Sequence, residues 1–191
     1  VGEGGMAAVL GLDDEQVREV CAAASQGEVV QAVNYNAPGQ VVIAGNNAAI
    51  ERAIVGCKEA GARRAMALSV SAPFHSALMK PAAEEMANVL NEVSFAKPTM
   101  IVVQNIDAAV HDDPEEIRVN LVKQMCGAVL WTDTVLSLKQ IGVATLVECG
   151  PGKVLTGLTK RIDKSITGHS MNSAASIATV SEALSGTPDN E

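Results

Sequence analysis

Aromatic side chains are scarce: the 191 residues hold 2 Phe, 1 Tyr and 1 Trp, so any core must be built from Ala, Val, Leu, Ile and Met. Basic charge is also short. With 22 acids against 14 bases, a formal net charge of -8 and so few stacking rings, a nucleic-acid surface is excluded as the chain's main business. No apolar run approaches the ~18 residues that a bilayer span requires, so a soluble protein is expected. The four cysteines, Cys21, Cys57, Cys126 and Cys149, form no C-x-x-C pair and no zinc spacing, and buried reduced thiols in a cytoplasmic protein are the expectation. The opening Val1-Gly2-Glu3-Gly4-Gly5-Met6 has no initiator Met and no leader with a basic start and apolar middle; it reads as the interior of a longer protein. Charged residues make up 19% of the chain against 48% apolar, which excludes a chain held open by its own charge.

What is present is alternating secondary structure. Met6 to Leu10 is a predicted strand, and Asp13 or Asp14 caps a helix whose Val17, Val20, Cys21 and Ala24 recur at helical spacing. A strand from Val29 to Tyr35 is joined by the turn Asn36-Ala37-Pro38-Gly39 to a second from Gln40 to Ala44, a hairpin. A helix with Ile50, Ile54 and Cys57 on one face ends at Gly61, and a strand from Arg64 to Val70 follows. The order βαββαβ is the ferredoxin-like order.

Beyond Val70 strands alternate with helices, which predicts parallel pairing in a layered α/β unit. Leu78, Ala82, Met86, Val89, Leu90 and Val93 mark a helix face, and a strand is predicted over Thr99 to Gln104. Helices are predicted from Pro114 to Met125 and from Trp131 to Ile141, then a strand from Ala144 to Cys149. Gly150-Pro151-Gly152 leads into a helix reaching Lys164. A short strand after Gly168 and a helix from Ala174 to Leu184 follow, and Gly186 to Glu191 reads as a frayed tail.

Several residues bear on chemistry. His75 sits where a strand gives way to a helix, a loop position at which open α/β sheets place ligands, although a satisfied structural histidine is the commoner outcome there. His111, beside Asp112 and Asp113, reads as a solvated loop residue. Gly168-His169-Ser170 copies the start of a nucleophile elbow, but Asn172 stands where the second Gly is needed. Gly150-Pro151-Gly152-Lys153 is not a phosphate loop, since Val147 replaces the first Gly and Val154 the hydroxyl residue. Gly2-Glu3-Gly4 likewise fails as a dinucleotide fingerprint, with Ala7 at the third glycine. On a helix from Gly152 to Lys164, Lys153, Lys160 and Lys164 would fall within about 40° of each other, a solvated face or a dock for an acidic partner. Arg63-Arg64 invites the same two readings.

Three stretches together resemble the acyltransferases that load malonyl groups in fatty-acid and polyketide synthesis, the malonyl-CoA:acyl-carrier-protein transacylase family. They are the hairpin Asn34-Tyr35-Asn36-Ala37-Pro38-Gly39-Gln40-Val41-Val42-Ile43-Ala44-Gly45, the histidine segment Val70-Ser71-Ala72-Pro73-Phe74-His75-Ser76-Ala77-Leu78-Met79-Lys80-Pro81, and the turn Glu148-Cys149-Gly150-Pro151-Gly152-Lys153-Val154-Leu155. The resemblance runs from about Met6 to Leu184. It implies a ferredoxin-like subdomain over residues 1–70, followed over 71–191 by the carboxy-terminal part of a larger α/β-hydrolase-like catalytic subdomain.

For mechanism, the resemblance implies ping-pong transfer of malonyl from coenzyme A, through an acyl-serine, to the phosphopantetheine thiol of an acyl carrier protein. No resident cofactor and no metal are expected. His75 matches the family's catalytic base, and Gln124 matches the residue whose main-chain carbonyl orients that imidazole; Ala128 stands where family members often have Pro. Phe74, directly before the histidine, would fill the space an α-methyl branch needs and favour malonyl over methylmalonyl by ~1–3 kcal/mol. Core packing is the other reading of Phe74. Asn34, Gln40 and Arg64 match positions along the rim where the family meets coenzyme A.

The family's serine elbow, Gly-Gln-rich loop and malonyl-binding arginine precede the inserted subdomain, and no residue of this chain matches them. The expectation is therefore the carboxy-terminal two-thirds of such an enzyme, inactive alone and prone to self-association through an exposed apolar edge. Two alternatives stay open: a non-catalytic module that binds a carrier protein, and a serine hydrolase using Ser170.

Overall fold

The computed structural model describes residues 4–185. The chain divides into two compact units, Val1–Thr134 and Val135–Glu191. The predicted tail from Gly186 lies outside the described residues, as do Gly2 and Glu3.

In the first unit, β1 (Gly4–Leu10), α1 (Asp14–Ser25), β2 (Val30–Ala37), β3 (Gln40–Asn46), α2 (Asn47–Glu59) and β4 (Arg64–Leu68) follow in that order. The four strands make one sheet in the order β2-β3-β1-β4, and every neighbouring pair is antiparallel. Helix α1 starts where a capping box can form: the Asp13 carboxylate accepts from the Gln16 amide at 2.8 Å while the Gln16 side chain accepts from the Asp13 amide at 3.0 Å. Pro38 and Gly39, with φ +69° at the glycine, turn β2 into β3.

Strand alternation gives the sheet two distinct faces. Val9, Val41, Ile43 and Ala65 point to one face and are buried in a cluster with Val17 and Cys21 of α1 and Ile50 and Cys57 of α2. The other face carries Met6, Val42 and Ala44, which form a separate buried cluster with Val33. Cys21 and Cys57 are buried, and burial pushes the Cys21 thiol up to about 12. The expectation of four buried thiols fails for the other two, since Cys126 is half-buried and Cys149 exposed.

After β4 a 3-10 turn (Ala77–Met79) leads into α3 (Lys80–Asn91), and α4 covers Pro114–Lys123. The helix expected from Leu78 therefore begins later, with Leu78 itself in the tighter turn. The strand expected over Thr99 to Gln104 does not form. Its only pairing among the described residues is a single antiparallel bridge from Val103 to Val110, while Met100 and Ile101 are 74% and 64% exposed. An extended apolar segment becomes a strand only when a neighbouring strand takes up its amides and carbonyls.

His111 is more than a solvated loop residue. Its Nε2 lies 2.7 Å from Asp107 Oδ2 and its Nδ1 3.2 Å from Glu116 Oε2, which ties the loop to the first turn of α4. The hydrogen bond to Asp107, then that to Glu116, raises the imidazole above its ordinary value of 6.5.

Helix α5 (Trp131–Gln140) contains the division between the units. In the second unit β5 (Thr145–Cys149) pairs in parallel with β6 (Thr167–Met171), joined by α6 (Val154–Ile162), and α7 covers Ala174–Ser185. Parallel pairing is the predicted outcome for these alternating elements. The basic stripe is not: Lys153 is the cap before α6 and Lys164 lies past Asp163, whose extended backbone at φ -147° ends the helix. The three lysines thus do not share one helix face. Among the described residues no helix is long and apolar enough to cross a membrane.

Two outcomes follow. Ile43→Ala empties a fully buried position at the centre of the small sheet, and urea denaturation should show stability lowered by about 3 kcal/mol. Because the His111 imidazolium gains its partners on folding, its contribution is complete below the unfolded pKa and is lost as pH rises through the raised folded value. The unfolding midpoint measured from about pH 6 to about pH 9 should fall, and His111→Gln should remove that part of the fall.

Candidate active site

The site begins with a strained turn. Pro73 O accepts from the Ser76 amide at 3.4 Å and from the Ser76 hydroxyl at 2.7 Å, closing a four-residue turn with His75 in its third position. That position suits a positive φ, and His75 has φ +63°, in the left-handed region that a side chain with a Cβ rarely adopts. Ser76 is completely buried, and its carbonyl accepts from Met79, which starts the 3-10 turn. The start of β1 comes close by: a Cβ on Gly4 would stand 2.6 Å from Pro73 Cγ, so this approach requires glycine.

Gln124 reaches the histidine from α4. The Asp113 carboxylate caps that helix by accepting from the Glu115 amide at 2.8 Å, and Gln124 is the residue at its other end. Carbonyls in the last turn of a helix have no partner within it and carry its negative dipole end. The Gln124 carbonyl is taken up by His75, with Nδ1 to O at 2.7 Å. A carbonyl can only accept, so Nδ1 carries the hydrogen and the neutral ring presents Nε2 as a bare acceptor. An imidazole held this way can take a proton at Nε2. Ala128 does not prevent this geometry.

The remaining predicted residues lie on the same small sheet. Leu10 pairs with Gln40 on one side and Arg64 on the other, and Asn34 pairs with Val42, two residues along from Gln40. Directly paired residues, and residues two apart on a strand, point to one face. Asn34, Gln40 and Arg64 therefore share the face opposite α1 and α2. Gln40 and Arg64 flank one strand, about 10 Å apart. The His75 turn meets the far end of this sheet, where Gly4 approaches Pro73 and the side-chain oxygen of Gln31, which is paired with Ala44, accepts from the Ala77 amide at 2.8 Å. Phe74 is 40% exposed on the turn, so full core packing does not explain it. Gln31 carries no motif signal and is missed by sequence reasoning; Ser76 could have been suspected only from its place beside His75.

In the second unit Ser170 lies inside β6, paired with Glu148, and the turn into α7 comes after it at Asn172 and Ser173. It is not on a strand-to-helix elbow. Glu148 accepts from both the amide and the hydroxyl of Thr156 at 2.8 Å. Burial alone would raise this carboxyl, but those bonds and the amides of Leu155 and Val154 outweigh it and hold the group below the usual carboxylate range. The amino-terminal end of α6 is thus filled by the chain's own carboxylate, a second reason why Gly150-Pro151-Gly152 is no phosphate cradle. Among the described residues no group of three or more His, Cys, Asp or Glu could hold a metal ion.

Comparison with known proteins shows the family. The acyl transferase domain model matches residues 1–186. The malonyl CoA-acyl carrier protein transacylase of Haemophilus influenzae is 51% identical over 183 residues, covering 96% of this chain and 59% of the relative. That of Escherichia coli K12 is 48% identical over 181 residues, covering 95% and 59%. Among solved structures, the acyl-carrier-protein S-malonyltransferase of Burkholderia pseudomallei 1710b superposes with a TM-score of 0.92 at 53% identity, over 95% of this chain and 59% of that one. A malonyl-transacylase solved in complex with a type II polyketide acyl-carrier protein gives a TM-score of 0.93 at 47% identity, over the same shares of the two chains. The chain thus spans about three-fifths of the length of these relatives. With a mixed α/β fold matching those structures and a family model spanning nearly its whole length, this chain belongs to the acyl transferase domain family.

Proposed function

We propose that this chain is the carboxy-terminal part of a malonyl-CoA:acyl-carrier-protein transacylase, with His75 as its general base. The observation that carries this reading is the 2.7 Å bond from His75 Nδ1 to the Gln124 carbonyl, which leaves Nε2 free to act on a hydroxyl. The hydroxyl belongs to a serine outside this chain. His75 Nε2 takes its proton as the serine oxygen bonds to the malonyl carbonyl carbon; the carbon–sulfur bond to coenzyme A then breaks, and Nε2 returns the proton to the departing sulfur. The second half-reaction runs in the opposite sense, with the carrier protein's phosphopantetheine thiol giving its proton to Nε2 and displacing the serine. No cofactor takes part.

The remaining assignments follow the same reading. Residues 1–70 form a ferredoxin-like subdomain, supported by the strand order β2-β3-β1-β4 and by two helices packed on one face. Residues 71–191 belong to an α/β-hydrolase-like core. Asn34, Gln40 and Arg64, on the sheet face opposite α1 and α2, line the path of coenzyme A. The carrier protein is the partner, in keeping with the relative solved in complex with one, and the cytoplasm is the location. Phe74 disfavours a methyl branch on the acyl group.

The purified 191-residue chain should release no burst of coenzyme A from malonyl-CoA, and the protein extended to the full length of its relatives should. In the extended protein His75→Ala should lower transfer by at least about a hundredfold; transfer that survives this change would overturn the proposal. The exposed apolar run at Met100, Ile101 and Val102 should make the 191-residue chain self-associate, read as an early, concentration-dependent peak in gel filtration.

A further inference from the structure

Two segments far apart in sequence must meet for the His75–Gln124 bond to exist, and both are fastened to the same strand. On the histidine side, the Gln31 side-chain oxygen accepts from the Ala77 amide at 2.8 Å, two residues past His75. On the carbonyl side, the Val129 amide donates to Val33 O at 2.8 Å and the Tyr35 amide donates to Val129 O at 2.9 Å, five residues past Gln124. The Thr132 hydroxyl adds a bond to Tyr35 O at 3.1 Å. All these anchors lie on β2 between Gln31 and Tyr35.

From this arrangement we infer that β2 is the common template that aligns base and orienting carbonyl, and that Gln31 is a positioning residue for His75. The reasoning is mechanical. His75 occupies a left-handed backbone conformation that the local chain does not favour, so contacts around the turn must hold it. Ser76 secures the turn to itself through Pro73. Only the Gln31 bond, among those named here, ties the turn to the strand that also carries Val129. Without it the turn remains closed but loses its register against β2, and the Nδ1–H no longer points steadily at Gln124. Gln31 is exposed on β2, so replacing it leaves both buried clusters intact.

The kinetic part of the inference rests on the general-base role proposed for His75; the spectroscopic part does not. In the intact protein labelled with 15N-histidine, the His75 Nδ1–H signal should exchange with water about tenfold faster in Gln31→Met, which keeps the side chain's length but loses the acceptor. Gln31→Glu, which keeps an acceptor, should restore exchange to within about twofold of the parent. Transfer by Gln31→Met should show kcat lowered about tenfold with KM for malonyl-CoA unchanged, and Gln31→Glu should recover it. An unaltered Nδ1–H signal in Gln31→Met overturns the inference, as does a Glu variant that behaves like the Met variant. Retained transfer in His75→Ala would instead sink the proposed function, with the exchange measurement still deciding the role of Gln31.

Discussion

One hydrogen bond, from a histidine nitrogen to a main-chain carbonyl 49 positions later, organises the first unit. It satisfies two needs together. The carbonyl is one of those a helix leaves unpaired at its end, and the imidazole needs one nitrogen committed as donor before the other can act as acceptor. A carboxylate would orient the ring as well, but it would add a full charge beside the site. A helix end supplies only part of one.

That bond constrains everything around it. The histidine must sit at a turn position with positive φ, so the turn is closed by a buried serine and crowded by a glycine from β1. The helix must end at Gln124, and the segment beyond it must run beside β2. The small sheet divides the labour between its faces. One is sealed by α1 and α2 through Val, Ile, Cys and Ala side chains, with the lone Tyr packed at the margin, and the other carries the small buried cluster of Met6, Val33, Val42 and Ala44 together with Asn34, Gln40 and Arg64. A core so poor in rings can close because its small side chains let strand and helix backbones approach and pack densely.

Much of this was legible in the residues, for local reasons. The capping box at Asp13 and the helical spacing of Val17, Cys21 and Ala24 define α1 without reference to anything distant. The Pro38-Gly39 turn does the same for the β2–β3 hairpin. Resemblance pointed to His75 and Gln124, which no spacing rule connects. The Thr99–Gln104 segment read as a strand because apolar β-branched residues say only that a segment is fit to pair, not that a partner is present. The lysine stripe failed at Asp163, where extended backbone stops the helix before Lys164.

By itself, then, the sequence determined the order of strands and helices in the small sheet unit, the caps and turns between them and which side of α1 and α2 is buried, since these depend on neighbours within a few positions. Only the tertiary structure decided that Gln31 supports the histidine turn, that Glu148 fills the end of α6, and that Asn34, Gln40 and Arg64 look out from one face. Each of these depends on strand register and on where a distant backbone amide comes to rest, and the folded chain sets both only when its separate segments pack together.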